Sequence, residues 1–171
     1  MVIPIFTAAA AMSMFAFTMV HAGITDLTSY KIRNDLMLAF LLVYVALAPF
    51  SGISAHEVAW SMAIAAAVLL FGFVFFARGW IGGGDVKLAA VTALWFGADQ
   101  TAAYLLYTAL LGGVFTLAVL KFRGLPLPAS LLNRPWIARL HSRDAGIPYG
   151  VAMAMAGLVV FPQTQWMVRG L

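Results

Sequence analysis

Residues 79–90 read Gly-Trp-Ile-Gly-Gly-Gly-Asp-Val-Lys-Leu-Ala-Ala, a short polar stretch set between two long apolar runs. The run before it, 56–77, is long enough for a membrane-spanning helix of about 20 residues. The run after it, 86–98, covers only about 20 Å at 1.5 Å per residue, too little to cross alone. Either the helix starts before Asp85, or the glycine-rich turn dips into the membrane. Irregular backbone at that depth must be covered by protein or line a wet cavity. Three glycines, a carboxylate and an ammonium at the end of a span therefore point to something built there.

Composition sets the class. The 171-residue chain is 64% hydrophobic and 9% charged, with a mean hydropathy of +0.98. Soluble domains carry about 25% charged residues. A chain this apolar uses lipid as its solvent, so the bilayer is its first partner. The length suits several spans with short connections in a single domain, 1–171, with no second soluble domain. There are no cysteines, which excludes disulfides, thiolate metal sites and a cysteine nucleophile. The net charge of +4 would suggest nucleic acid in a soluble protein. Here its placement matters instead, and no nucleic-acid partner is expected.

The pattern predicts an all-α polytopic membrane protein of about six transmembrane helices with its N-terminus outside. The first span is 2–25, without one charged residue and without the basic leader of a signal peptide. It reads as a retained helix. Spans follow at 36–50, 56–77, 86–98 and 101–120, with Asp99-Gln100 as a tight turn, and the last begins at 147. Pro148 is expected in the first turn of that helix, where a missing N–H costs nothing. The loop 121–146 is long, and 131–140 suits a short helix lying in the interface. With the N-terminus outside, loops 26–35, 78–87 and 121–146 share one face. They hold Lys31, Arg33, Arg78, Lys87, Lys121, Arg123, Arg134, Arg139 and Arg143, against Arg169 alone outside. The positive-inside rule assigns that face to the cytoplasm.

Six carboxylates are present: Asp26, Asp35, Glu57, Asp85, Asp99 and Asp144. Glu57, Asp99 and Asp144 read as solvated turn or helix-start residues, and Asp35 as a group at the start of the second helix. Asp26 and Asp85 differ. One closes the first span and the other opens the fourth, at the same depth on the same face. A carboxylate at membrane depth costs about 2.5–3.5 kcal/mol, so such groups face protein or a wet cleft. Two carboxylates held close resist ionising together and share one proton. Such a pair can act as base on a water while donating to a carbonyl oxygen.

Gly82, Gly83 and Gly84 are then expected to admit unusual backbone angles and a close-lying second backbone. A tight turn or helix crossing would use them equally well. Lys87 is read either as a cation that tunes the acids or as a side chain snorkelling to the interface. His21, His56 and His141 read as packing or interface residues, and no metal-ligand spacing occurs. Trp60, Trp80, Trp95, Trp136 and Trp166 read as lipid contacts or interface anchors. Gly112-Gly113 reads as a close helix crossing.

These blocks resemble the type IV prepilin peptidases, the membrane aspartic peptidases with a GxGD motif, and among them the small form serving Flp or tight-adherence pili. The resemblance rests on GGGDVKLAAVTALWFG (82–97), DLTSYKIRN (26–34) and IPYGVAMAMAGL (147–158). It implies that Asp26 and Asp85 are the catalytic aspartates, with no metal and no cofactor. It also implies that Asn34, Gly82, Gly83, Gly84, Lys87, Pro148 and Gly150 shape the site. The implied substrate is a prepilin, a Flp-type pilin or pseudopilin precursor, cut ahead of its apolar helix on the cytoplasmic side of a bacterial inner membrane. Relatives often have Ile-Pro-Asn where this chain has Ile32-Arg33-Asn34, which implies a less rigid loop. The larger bifunctional relatives carry a cysteine-bearing methyltransferase region, for which this chain has no space. A different reading, a small ion-coupled transporter or channel with Asp26 and Asp85 as proton or cation sites, suits membrane-embedded acids too. Against it, both acids sit near one face and no internal repeat is visible.

Overall fold

The computed structural model describes residues 2–169. Among these the chain is an all-α polytopic membrane protein without a strand. Helix α1 is Val2–Ser29, α2 is Asn34–Leu47, α3 is Ala55–Ala77 and α4 is Gly83–Arg123. Two short helices, α5 (Ala129–Leu132) and α6 (Pro135–His141), occupy the long connection, followed by α7 (Gly150–Val160) and α8 (Gln165–Val168). Four stretches are long and apolar enough to cross a membrane: Ile5–Ser29, Ala55–Ala77, Gly83–Arg123 and Gly150–Val168. Asn34–Phe50 is a shorter apolar helix.

The helix ends follow from local chemistry. Ser54 and Glu57 form a reciprocal capping box that opens α3, each side chain satisfying a backbone N–H the helix leaves free. Asp35 lies in the first turn of α2 and accepts the Leu36 N–H at 2.9 Å. Arg78 and Gly79, the latter at φ 73, close α3. The expected roles of Glu57 and Asp35 at helix starts therefore hold.

Helix α4 is a hairpin. Gly97 has φ 64 and ψ −163, outside helical space. Only glycine adopts such angles at low cost. Beyond it the chain folds back on itself: the Thr101 hydroxyl donates to the Ala93 carbonyl, eight residues earlier, at 3.3 Å. The Tyr104 ring lies 5.0 Å from that of Phe96. The outgoing limb, 83–96, and the returning limb, 98–123, thus correspond to the fourth and fifth segments expected from sequence. The reversal is at Gly97, not at Asp99-Gln100, which are both helical.

Several boundaries differ from the sequence reading. Helix α1 runs four residues past Thr25, so Asp26 is helical rather than the first residue of a loop. The loop expected at 78–87 ends at Gly82, and Asp85 and Lys87 sit in the first turns of α4. The helix does begin before Asp85, the first of the two alternatives open from sequence. The expected loop 121–146 starts after Arg123 and contains α5 and α6. Pro148 precedes α7 and lends its carbonyl to the Val151 N–H at 3.3 Å.

Helices α1 and α7 run antiparallel, packed through small residues: a methyl on Gly23 would lie 3.2 Å from Ala154 Cβ. Away from the 79–90 end, aromatic rings fill the core. Phe15 stacks on Phe161 at 4.0 Å and Phe40 on Trp95 at 5.0 Å. Trp95 and Trp166 are buried, and the Trp166 indole donates to the Trp95 carbonyl at 3.0 Å. These two are core residues, not the lipid anchors expected of them. Trp60, Trp80 and Trp136 are exposed as expected. Gly112 makes a close contact, a methyl there falling 2.5 Å from the Tyr149 ring, whereas Gly113 faces open space.

Candidate active site

Asp26 lies in the last turns of α1 and is 6% exposed. Its Oδ2 accepts the Gly150 N–H at 2.7 Å. That N–H belongs to the first residue of α7, one of the donors a helix leaves unpaired at its start. The contact depends on the missing side chain. A methyl on Gly150 would meet Asp26 Oδ2 at 2.8 Å, Cβ at 2.9 Å and Cγ at 3.0 Å. Pro148, fully buried, leads the chain into this turn.

Asp85 occupies the first turn of α4, after Gly82 as N-cap at φ −73. None of Gly82, Gly83 and Gly84 has positive φ. The expectation of unusual backbone angles therefore fails, and what these glycines supply is room. A methyl on Gly82 would lie 3.0 Å from Asp85 Oδ2, and one on Gly84 would lie 3.2 Å from Ile32 Cβ. The carboxylate can thus fold back over its own N-cap, and α4 can start hard against the loop after α1.

A cavity of about 400 Å³ brings the pieces together: Asp26, Asp85, Asn34 and Gly82, Gly83 and Gly84 all line it. Lys87 is exposed and donates to Asn34 Oδ1 at 2.9 Å, tying α4 to the start of α2. That bond is to an amide, not to an acid. Among the described residues, no group of three or more His, Cys, Asp or Glu is arranged to hold a metal. His21 is exposed and stacks on Phe17 at 5.9 Å.

Tyr30 also lines the cavity, and the sequence reading missed it. It ends α1 in the left-handed region at φ 57, a conformation that costs a bulky residue energy. Arg139 lies over its ring at 5.7 Å and donates to the Ser29 carbonyl at 3.2 Å. Burial pushes the Tyr30 phenol above its ordinary range, opposed by Arg123 and Arg139, so it remains a neutral hydroxyl near pH 7. Arg123 in turn holds the Leu140 and Gly146 carbonyls at 2.9 and 2.7 Å. The long connection is thereby fastened to the end of α4 by Arg123 and to the end of α1 that carries Asp26 by Arg139.

A second cavity, of about 1320 Å³, meets the first at Asp26, Tyr30, Gly82 and Asp85. It is an apolar groove between α3 and the returning limb of α4, with Val68, Phe71, Ala102 and Leu105 among its walls. Phe71 and Leu105 are well exposed, so the groove opens at the outer surface of the bundle. Two carboxylates beside one cleft supply a proton acceptor and a proton donor, and an apolar groove leads to them.

A sequence profile of the type IV leader peptidase family matches residues 13–117. The chain belongs to the type IV leader peptidase family. The match spans α1 to the returning limb of α4 and contains both carboxylates, Asn34, the glycine block and Lys87. Pro148 and Gly150 lie beyond it. Searches of curated proteins and of solved structures return no match. Family membership makes the chain a peptidase of the type IV leader class. The contact between Gly150 and Asp26 adds an element that the matched segment does not include.

Proposed function

We propose that this chain is a membrane-embedded aspartic endopeptidase that removes the leader from type IV prepilins of the Flp kind. One observation carries the reading: Asp26 and Asp85, 59 positions apart in sequence, line one cleft of a helical bundle. In the reaction, one carboxylate takes a proton from water as the oxygen attacks the scissile carbonyl carbon. The other, protonated, gives its proton to the carbonyl oxygen. The resulting gem-diol collapses, the C–N bond breaks, and a proton passes to the departing amine. No metal or cofactor takes part.

The apolar groove gives the substrate its place. A polypeptide at membrane depth must satisfy its own backbone, so it enters as a helix. That helix lies between α3 and the returning limb of α4, and its end unwinds beside Asp85 and the glycines. The nine cations on the connections and helix ends at this face support a cytoplasmic site in a bacterial inner membrane. The substrate is a prepilin or pseudopilin precursor, and nucleic acid has no part. With no cysteine in its sequence, the chain is expected to cut without methylating the new N-terminus.

The test is to incubate the purified protein in detergent with a Flp-type precursor and follow the gel shift, with mass spectrometry of the product. Cleavage ahead of the apolar helix is expected, undiminished by chelator and without methylation. An intact precursor, or activity lost with metal removal, would count against the reading. Groove occupancy has its own test. Ala102→Trp fills the groove from an exposed position. It should raise KM for the full precursor at least about tenfold, a loss of about 1.4 kcal/mol in binding. Cleavage of a short peptide lacking the apolar helix should be unchanged.

A further inference from the structure

The polar cleft and the apolar groove share four residues: Asp26, Tyr30, Gly82 and Asp85. Two of these are the acids, and one has no side chain. Among the described residues, Tyr30 is therefore the one side chain besides the acids that borders both cavities. It stands four residues after Asp26, one turn on along the same face of α1. Its N–H donates to the Asp26 carbonyl at 2.8 Å. A chain that lies in the groove and reaches the acids passes this ring.

The position is a costly one for a tyrosine. The residue that closes a helix in the left-handed region is usually glycine, and α3 follows that rule with Gly79 at φ 73. Helix α1 ends instead on Tyr30 at φ 57, where a side chain brings strain. Such strain persists only where surrounding contacts impose it. Here they come from the last turn of α6. Arg139 lies over the ring at 5.7 Å and donates to the Ser29 carbonyl at 3.2 Å, so one guanidinium holds both the ring and the backbone beside it. Glycine would make the turn more easily, so the ring is kept for what it touches. A tyrosine offers a broad, rigid face for only two side-chain torsions.

We propose that Tyr30 fixes the register of the substrate, selecting which peptide bond lies between Asp26 and Asp85, and that Arg139 is a positioning residue for the ring. The apolar helix in the groove ends at this junction, and the unwound chain beyond it runs past the ring into the cleft. A slip of one residue moves an extended chain about 3.3 Å, enough to bring a neighbouring bond to the acids. The ring blocks that slip by packing against the first unwound residues. This rests on the reading of Asp26 and Asp85 as the reacting pair.

Mass spectrometry of the products reads the register directly. Wild type should cut the precursor at one bond. Tyr30→Gly removes the ring and relieves the strained backbone. Its kcat should fall roughly tenfold or more, the scale of a small misplacement of reacting groups, and a second product, cut at a neighbouring bond, should accompany the first. The short peptide should show the same pattern, in contrast to Ala102→Trp. Tyr30→Phe keeps the ring and should restore the single product. Tyr30→Asn, which also tolerates a left-handed backbone, should release the second product and guards against a folding defect in the glycine variant. Arg139→Ala should release it to a lesser extent, and adding Arg139→Ala to Tyr30→Gly should change nothing further, because Arg139 acts through the ring. A single cut by Arg139→Ala removes Arg139 from the role. A single cut at the wild-type bond by both Tyr30→Gly and Tyr30→Asn overturns the proposal, whatever the rate, and leaves the peptidase reading standing. If wild type leaves the precursor whole, both fail.

Discussion

Replacing either Asp26 or Asp85 with asparagine is expected to reduce leader cleavage by a factor of about 10³ or more. Both variants should still insert and fold. Asparagine has nearly the shape of aspartate and keeps a carbonyl oxygen that can accept the Gly150 N–H, which now bonds Asp26 Oδ2 at 2.7 Å. Alanine would be the worse probe, because it leaves that buried donor unpaired at a cost of about 1–3 kcal/mol. What the amide cannot do is take up or release a proton at working pH. In the proposed reaction one carboxyl accepts from water while the other donates to the carbonyl oxygen, so each single change removes half of one coupled event. The double variant should therefore be no slower than either single one, since groups acting as a unit are strongly non-additive. The measurement is initial rate on a purified precursor, with melting temperature as the control for folding. Normal processing by either variant would remove that residue from the reaction. A double variant much slower than both singles would show two independent contributions, not one shared water.

Much of this arrangement was legible in the sequence because membrane physics leaves so few options. With 9% of residues charged, each carboxylate at the end of a span stands out, and a helical bundle follows from the need to satisfy backbone groups in lipid. Asp26 and Asp85 could be paired by topology alone. Local backbone choices were harder to see. The reversal in α4 turns on φ 64 at Gly97, yet polarity pointed to Asp99-Gln100, two residues later. Nothing about a tyrosine signals the left-handed conformation found at Tyr30; it is held by Arg139, 109 positions away. Trp95 and Trp166 looked like interface anchors because tryptophan favours that zone. Their burial follows from mutual packing, with rings 4.9 Å apart. Contacts between distant segments leave no local pattern to read.

Gly150→Ala is the second change expected to have a large effect, and it probes the contact between α1 and α7. Gly150 lies outside the segment matched to the family, 124 positions from Asp26. The added methyl would sit 2.8–3.0 Å from Oδ2, Cβ and Cγ of Asp26. A flexible tip could swing aside, but Cβ is fixed to the α1 backbone. The clash can relax only if α1 and α7 separate. Overpacking of this kind costs about 1–3 kcal/mol. Catalysis should suffer more than stability, because a shift of about 1 Å at a reacting group can cost about a hundredfold in kcat. The expected signature is a large drop in kcat on short and full-length substrates alike, with a modest drop in melting temperature. Ala102→Trp should instead affect only substrates that carry the apolar helix, so the two variants separate placement of the acid from docking of the substrate. Gly113→Ala is the control: a methyl there meets nothing within 4 Å, and both rate and stability should be kept. If Gly150→Ala cleaves at the wild-type rate, the α7 N-terminus does not position Asp26, and the carboxyl must find its working geometry by other means.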